Sequence, residues 1–497
     1  MRHTATTRFL RLLPAALLAG CAVGPNFSPP HPALPAHWSG AATSQAAGVT
    51  SVLSTDPTRL QDWWARFNDA GLTSLIERSR ASNLDERAAV LRITEARLQR
   101  DGASANLWPQ LSANASWSRQ RLSESTPTGS LFTRFNSLSV PGFPAISVPN
   151  PYNQYQLGLG ASWEIDLFGR VRRSVEAASA DVRASEEDRR AVLVSLDSDV
   201  ARAYIDLRGS QQRRQVAQAS LDTERDLLEL TQQRQAAGLT TDEDVENAAA
   251  QVESTQAQIP LLDLEITQDI NQLSRLIDRE PQALRAELDE PHSVPPVPPQ
   301  VPIGLPADLA RQRPDIREAE QKLHAATARI GVAVADVFPR LTLGAQGGYQ
   351  SQSASNLLQW ASRFGSIGPT LELPIFDRGR WITIRLQDVR AQEAAIDYQR
   401  TVLGALHEVE NALAAYQADQ LRRKELTSAA EHSREALALA RQRYASGVAT
   451  FLVVLDAQRT LQQNELALAE SVTSVATDLV TLYRTLGGAN LQDSDHA

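Results

Sequence analysis

The chain has 497 residues, of which 42% are hydrophobic, 5% aromatic and 22% charged, with a formal net charge of −9. That acidic balance leaves no basic footprint for nucleic acid, and a single cysteine excludes an internal disulfide or a thiolate metal cluster. Ala, Leu, Gln, Arg and Glu fill the long segments, a composition that builds long helices more readily than thick cores.

Residues 1–20 carry Arg2, Arg8 and Arg11 beside an apolar run, Leu12 to Ala19, that is too short to span a bilayer, and so predict a signal peptide. Cys21 follows Leu18-Ala19-Gly20 and opens an N-terminal segment, 21–67, that ends in Trp63, Trp64 and Phe67. Beyond the leader there is no run of 18 apolar residues. Any further crossing of a membrane must use strands in a closed barrel, because lipid-exposed backbone has no other way to satisfy its hydrogen bonds.

Residues 68–280 form a first unit. A helix is expected from Asp69 to Leu107, then a hairpin over about 110–165, in which Leu111, Ala113, Ala115 and Trp117, and later Tyr155, Leu157, Leu159, Ala161 and Trp163, alternate with polar residues or Gly. The intervening stretch, Arg121 to Tyr152, is rich in Ser, Pro, Gly and Asn and suits an extracellular loop. From Arg170 to Ala237 there is no proline and one glycine, which predicts a long helix, 170–237, of roughly 100 Å. Val192, Leu196, Val200, Ala203 and Leu207 give it coiled-coil spacing. Gly238 is placed to end it, and a return helix, 241–279, starts with a capping-box pattern, Thr240 and Glu243.

A Pro-rich linker, 281–312, leads to a second unit, 313–487. It repeats the order: a helix from Arg313 to Val337, a hairpin over about 340–375, a long helix 379–446 ended by Gly447, and a return helix 450–486, with a tail at 488–497. Ala103, Ala105, Pro109 and Leu111 return 230 residues later as Ala333, Ala335, Pro339 and Leu341. Residues 163–170 answer to 371–378 at an offset of 208, and Val200, Ala203, Arg234 and Gly238 to Val409, Ala412, Arg443 and Gly447 at 209. One helix, hairpin, helix, helix block is therefore used twice.

Each return helix is about half as long as its partner, and the helix before each hairpin supplies the missing half if it stacks end to end on the return helix. Two hairpins give four strands, too few to close a transmembrane barrel when the smallest use about eight, so closure requires an oligomer. Period-2 alternation also describes soluble strands, and helical spacing alone fits a periplasmic coiled-coil scaffold without channel activity. A catalytic reading has little to stand on: the sequence has no HExxH pair and no phosphate loop, and His324 and His407 are expected at surfaces or interfaces.

Leu18-Ala19-Gly20-Cys21 resembles the lipobox of bacterial lipoproteins, which implies diacylglyceryl and N-acyl lipid on Cys21 and, with Ala22 following, sorting to the outer membrane. Together with Val23-Gly24-Pro25-Asn26-Phe27, Trp163 through Arg170, Ile303 through Leu309 with Arg311, Arg313-Pro314-Asp315-Ile316, and the passage Arg443-Tyr444 to Gln458, the chain resembles TolC-like outer membrane efflux channels, in particular their OprM-like, NodT-family lipoprotein branch. The resemblance implies a mainly α fold with a transmembrane β part: a homotrimer with a 12-stranded β-barrel joined to a 12-helix periplasmic coiled-coil tunnel. It implies a passive exit channel for drugs or other small solutes, partnered by a periplasmic adaptor (membrane fusion) protein, an inner-membrane RND-type pump and outer membrane lipids, with no nucleic acid and no cofactor beyond the lipid. A type I secretion or metal-efflux channel is the alternative within the family, although the sole Met, the initiator, gives no support to a Met-lined copper path.

The same resemblance places the periplasmic gate and adaptor contact at the two turns. Arg443, Tyr444, Gly447 and Asp456 occupy the family motif at the second turn, and Arg234, Gly238, Asp242, Glu243 and Asp244 flank the first. Close relatives often carry Asp after the second Gly-Val, where this chain has Ala449, so the first-turn acids are expected to substitute for that charge. The plainer alternative makes these charges solvated caps and helix-dipole partners.

Overall fold

The computed structural model describes residues 22–39, 51–54, 62–137 and 149–488; the leader, Cys21 and the tail from residue 489 lie outside the described residues. In chain order the elements are β1 (Val52–Ser54), a 3₁₀ turn (Trp63–Phe67), α1 (Ala70–Ser82), α2 (Leu84–Ala105), β2 (Gln110–Gln120), α3 (Pro127–Ser137), β3 (Tyr152–Ile165), α4 (Arg170–Ala236) and α5 (Asp242–Leu276). After the first unit come α6 (Arg285–Leu288), β4 (Gln300–Pro302), α7 (Pro306–Gln312), α8 (Pro314–Ala335), β5 (Arg340–Ser351), β6 (Arg363–Glu372), α9 (Arg378–Ala445) and α10 (Phe451–Thr485). The repeat is visible in the lengths: α2 and α8 have 22 residues each, α5 and α10 35 each, and α4 and α9 have 67 and 68. The stretch expected as an extracellular loop contains the helix α3.

The chain forms two compact units. In the first, made of described residues up to Ser28 with 96–182 and 323–394, the strands form one antiparallel sheet in the order β2-β3-β5-β6. The central junction joins the repeats, with Leu159 opposite Gly347 and Trp163 opposite Leu343. The alternation read from the sequence holds: Leu111, Trp117, Ile367 and Leu371 all lie exposed on one set of alternate positions. β2 and β6 are left as the sheet's two edges. The residues that follow Cys21 are tied to α4 and α8: Val23 N–H donates to the Phe168 carbonyl (3.1 Å), Arg173 Nη2 to Asn26 Oδ1 (2.6 Å), and Phe27 stacks on His324 at 4.4 Å.

In the second unit, residues 29–95, 183–322 and 395–488 of the described chain, helix ends decide the architecture. The sequence suggests one helix from Asp69 to Leu107, but the structure breaks it at Asn83, whose backbone is extended (φ −61°, ψ 134°). The break is a splice. Asn83 Nδ2 donates to the Leu276 carbonyl at the end of α5 (3.0 Å), while Asn83 Oδ1 accepts from the backbone N–H groups of Asp85 (2.9 Å) and Glu86 (3.2 Å) that open α2. Ser82 Oγ adds a bond to the Ile277 carbonyl (2.7 Å). One buried amide thus satisfies an orphan acceptor of one helix and orphan donors of the next, and α2, rather than the whole span from Asp69, continues the return helix.

The second repeat makes the same splice with another side chain. Arg313, 230 residues after Asn83, donates from Nη1 to the Thr485 carbonyl (2.9 Å), 209 residues after Leu276. Asp315 (2.7 Å) and Glu408 (2.8 Å) hold the guanidinium in place, and Pro314 opens α8, where its missing N–H is no loss. The expected capping box at α5 is shifted by one residue: the N-cap is Thr241, whose hydroxyl accepts from Asp244 N–H (3.3 Å), and Thr240 instead bonds the Asp244 carboxylate.

Trp63, Trp64 and Phe67 are buried in this unit's core, with Trp63 5.3 Å from the Tyr483 ring and Arg80 lying over Trp64 while it grips buried Asp197 by two bonds. The inter-repeat linker is anchored by the buried Arg208 and Gln211, which donate to the Glu290 (2.8 Å) and Leu288 (2.7 Å) carbonyls, and β4 pairs parallel with β1. The one glycine of α4, Gly209, sits where a Cβ would lie 2.3 Å from Thr473 of α10, a contact that only Gly permits. On α10, Asp478 has one carboxylate oxygen buried without a hydrogen-bond partner among the described residues, and burial together with neighbouring Asp419 pushes its pKa up to about 7.

Two outcomes follow. Asn83→Ala leaves the Leu276 carbonyl and two N–H groups without partners and lowers stability by about 1–2 kcal/mol, read as a lower apparent Tm of the purified protein by circular dichroism. For Asp478, the native state binds the proton more tightly than the unfolded chain, so between about pH 4 and 7 stability falls as pH rises. Asp478→Asn is expected to flatten that part of the Tm–pH curve and to raise Tm at pH 8 above the parent.

Candidate functional site

The two turns that join the long helices to their return helices are built alike. α4 ends in Gly238 at φ +70°, with Gly238 N–H donating to the Gln235 carbonyl (2.9 Å) and Leu239 N–H to the Arg234 carbonyl (2.8 Å). α9 ends in Gly447 at φ +78°, with Gly447 N–H donating to Tyr444 (3.0 Å) and Val448 N–H to Arg443 (2.9 Å). Both are Schellman closures, in which a left-handed residue lets the chain turn back on the last carbonyls. Each turn then presents an apolar residue to solvent, Leu239 at 66% and Val448 at 69% exposure.

Between the turns the predicted residues divide. Arg234 and Tyr444 come together: Arg234 Nη1 donates to the Tyr444 carbonyl (3.0 Å) and the Ala445 carbonyl (3.3 Å), and its guanidinium lies 4.5 Å over the Tyr444 ring. Tyr444 is buried against Phe451 (5.9 Å, edge-on), in a small core with Leu227, Leu437, Val454 and Leu455. A cation of α4 therefore satisfies the orphan carbonyls at the end of α9 and complements that helix's negative end. The Tyr444 hydroxyl and Arg234 Nε are buried without a hydrogen-bond partner among the described residues.

The acids go elsewhere. Asp242, Glu243 and Asp244 form the first turn of α5, the favourable place for negative charge at a helix N-terminus. Asp242 Oδ1 accepts from Gln235 Nε2 (2.9 Å) and Asp244 from Thr240, so within the chain both serve the turn. Arg443 and Asp456 are exposed and not brought to each other or to the Arg234–Tyr444 pair by any side-chain bond within the described residues. The first turn of α10 carries no acid, and its N-cap Thr450 makes no side-chain cap.

A polar layer that the sequence analysis did not single out lies in the same bundle. Buried Gln251 donates to Glu224 Oε1 (3.1 Å) and accepts from Arg459 Nε (2.8 Å), and Gln462 donates to Thr255 (3.2 Å), so that α4, α5 and α10 meet through side-chain amides. Burial pushes the Glu224 pKa up, and its Oε2 has no hydrogen-bond partner among the described residues. The signal was Gln251 and Thr255 four residues apart on the core face of α5, beside Val252.

Comparison with known proteins gives these turns a context. The family described as outer membrane efflux protein matches residues 75–278 and 305–488. The outer membrane protein OprJ of Pseudomonas aeruginosa is 34% identical over 481 residues, 96% of this chain and 95% of that protein. The solvent efflux pump outer membrane protein SrpC of Pseudomonas putida is 31% identical over 477 residues, 95% of this chain and 96% of that protein. The solved structure of the outer-membrane channel OprN superposes with a TM-score of 0.83 at 34% identity, covering 94% of this chain and 99% of that one.

At both Gly238 and Gly447 a built Cβ meets nothing within 4 Å, so substitution there costs backbone conformation alone. Gly238→Ala and Gly447→Ala are each expected to lower stability by about 1 kcal/mol, equally within error, in thermal denaturation; a much larger loss at one turn would reveal crowding that the single chain does not have.

Proposed function

The chain belongs to the outer membrane efflux protein family, and from that premise we propose that it is the outer membrane exit channel of a tripartite, RND-type efflux system, anchored through lipid on Cys21. The observation that carries the reading is the four-stranded sheet with two unpaired edges. Backbone groups at such edges have no partner in lipid, and four strands cannot close on themselves, so three copies closing a 12-stranded barrel is the solution that the family resemblance supports. Drugs or other small solutes are the cargo, delivered by an inner-membrane pump through a periplasmic adaptor; SrpC, by its name, serves solvent efflux.

The gate in this reading is the pair of turns. Arg234 on the Tyr444 and Ala445 carbonyls ties α4 to α9 and holds the resting state. The exposed Leu239 and Val448, with Leu452 beside them, form the apolar contact for the adaptor. Asp242 and Asp244, besides capping α5, supply the negative charge at the mouth that Ala449 does not, and favour cations.

In planar lipid bilayers the purified protein is expected to conduct rarely. Arg234→Ala removes charge-assisted bonds worth about 1.5–3 kcal/mol, and since about 1.4 kcal/mol is a tenfold change in an equilibrium, open probability is expected to rise by roughly tenfold or more. Asp242→Ala with Asp244→Ala is expected to lower cation preference. No conductance from the parent or from Arg234→Ala would leave a lipid-anchored scaffold as the better reading.

A further inference from the structure

The two repeats treat one carboxyl differently. In the first, Ser210 Oγ of α4 donates to Asp269 Oδ2 of α5 (3.0 Å), and Arg213 Nη2 reaches Ser210 Oγ (3.2 Å) and Glu265 (2.7 Å). In the second, 209 residues later, Asp478 stands for Asp269 and Arg422 for Arg213, but Asp419 stands for Ser210 and Ser474 for Glu265. Each set holds two acids and one arginine. The second has moved an acid from the return helix onto the long helix, where it faces Asp478 within hydrogen-bond reach. At about 1.5 Å of rise per residue, each pair lies roughly 40 Å from the turn that its two helices share, at the root of the helical hairpin and not at its tip.

Two carboxylates cannot bond to each other without a proton. Asp478 Oδ2 is buried and no donor among the described residues reaches it, while Arg422, on the same helix as Asp419, stands 3.9 Å from that acid. Across on α4, Arg202 Nη2 donates to Thr481 Oγ1 (2.6 Å), less than one turn along α10 from Asp478, and its charge acts on the Asp478 carboxyl from beyond ion-pair distance. The other ionisable groups around the pair are Tyr416 on α9 with Arg423 near it, Tyr483 on α10 with Arg66 near it, and Asp206 on α4, which shares Arg202. Burial pushes both tyrosines up, so they stay neutral.

We infer that Asp419 and Asp478 share one proton and that this proton decides which long helix holds α10. With the proton in place, the Asp478 O–H donates to the Asp419 carboxylate and ties α10 to α9, as the Ser210 hydroxyl ties α4 to α5 at any pH. When the proton leaves to solvent, two like charges face each other across the α9–α10 contact. Asp478 then exchanges Asp419 for Arg202 of α4, whose guanidinium gives up Thr481. Each protonation state therefore has its own partner for Asp478, and the two partners sit on different helices.

Burial and the neighbouring Asp419 push the Asp478 pKa up to about 7, whereas Asp269, which has Ser210 in place of that acid, is pushed up to about 6 by burial with Asp206 and Glu265 near it. A raised value in the tied state means that the tie is complete in acid and is lost as pH rises through about 7. Resting on the channel proposed above, loosening the root of the α9–α10 hairpin frees the turn at Gly447 to move, so the channel opens more readily as pH rises. Linkage sets the size. A proton held at about 7 in the closed state and at the ordinary carboxylate value in the open one makes opening about tenfold more favourable at pH 8 than at pH 6; held at about 6, it makes about a twofold difference.

Single-channel recordings of the full-length protein at pH 6 and pH 8 decide this, made in the Arg234→Ala background so that openings are frequent enough to count. Asp478→Asn sets the baseline, because its amide donates to Asp419 at any pH and any contribution of Asp269 remains in it. Relative to that baseline, open probability is expected to rise about tenfold from pH 6 to pH 8 with Asp478 intact, and about twofold in Asp419→Ser, which installs the first repeat's arrangement. No rise over the baseline, or a rise that Asp419→Ser leaves unchanged, overturns the switch while the channel reading stands. Absence of conductance at both pH values removes the channel reading instead, and the pair is then judged in detergent by difference infrared spectroscopy. A fall in neutral-carboxyl absorbance between pH 6 and pH 8 that Asp478→Asn reduces supports the shared proton; a fall that it leaves unchanged overturns it.

Discussion

The structure depends on the unpaired edges of a four-stranded sheet. In lipid an N–H or C=O without a partner costs several kcal/mol, and the sheet β2-β3-β5-β6 leaves a full row of such groups on each side. In water such edges are blunted by charge, proline or a covering loop, yet β2 carries alternating Leu, Ala and Trp, and β6 carries Ile367 and Leu371 outward. Those residues suit a hydrocarbon surface and a neighbouring strand. The duplicated block joins its two hairpins to each other between β3 and β5 and leaves β2 and β6 as the edges.

The helices obey the same economy of orphan groups at their ends. A return helix of 35 residues against a long helix of 67 or 68 leaves a length that another helix must fill. Filling it end to end confronts unpaired carbonyls with unpaired N–H groups. Asn83, which carries a donor and an acceptor on one amide, bonds to both at once. Arg313 has donors only, serves the carbonyl side, and hands the N-terminal side to Pro314, which has no N–H to satisfy. Two unlike side chains at equivalent positions therefore meet one requirement, which is a property of the backbone and not of either residue.

Long elements were legible because their signals accumulate: 68 residues without proline and an apolar series at coiled-coil steps leave little choice but helix, and the long helices end within one residue of the positions read from Gly238 and Gly447. The break at Asn83 was not legible. Leu75 and Ile76 before it and Ala89 and Ile93 after it stand at spacings that one helix could hold, and an Asn between them reads as a solvated position until its partner 193 residues away is known. Pro260 shows the converse, a residue that ordinarily ends a helix but lies inside α5 with the helix continuing past it. Thr240 was one residue from the true cap because Thr241 offers the same hydroxyl, and the choice is made by backbone geometry.

At the turns the sequence could not assign the company of the residues it singled out. Arg234 takes neutral carbonyls and an aromatic face, and the acids take the N-terminus of α5, the helix-dipole role that the plainer reading gave them. Backbone dipoles are as good a partner as an opposite charge and sit closer at hand. Above the turns, the layer of Gln251, Glu224, Gln462 and Thr255 puts hydrogen bonds where hydrophobic contact would otherwise fix the helices. Amides and hydroxyls can exchange partners with their neighbours at small cost when helices slide, while an interdigitated apolar core resists displacement. The bundle thus divides its polar contacts in two: a directional tie at the tip, where Arg234 binds the Tyr444 and Ala445 carbonyls, and an adaptable polar seam behind it.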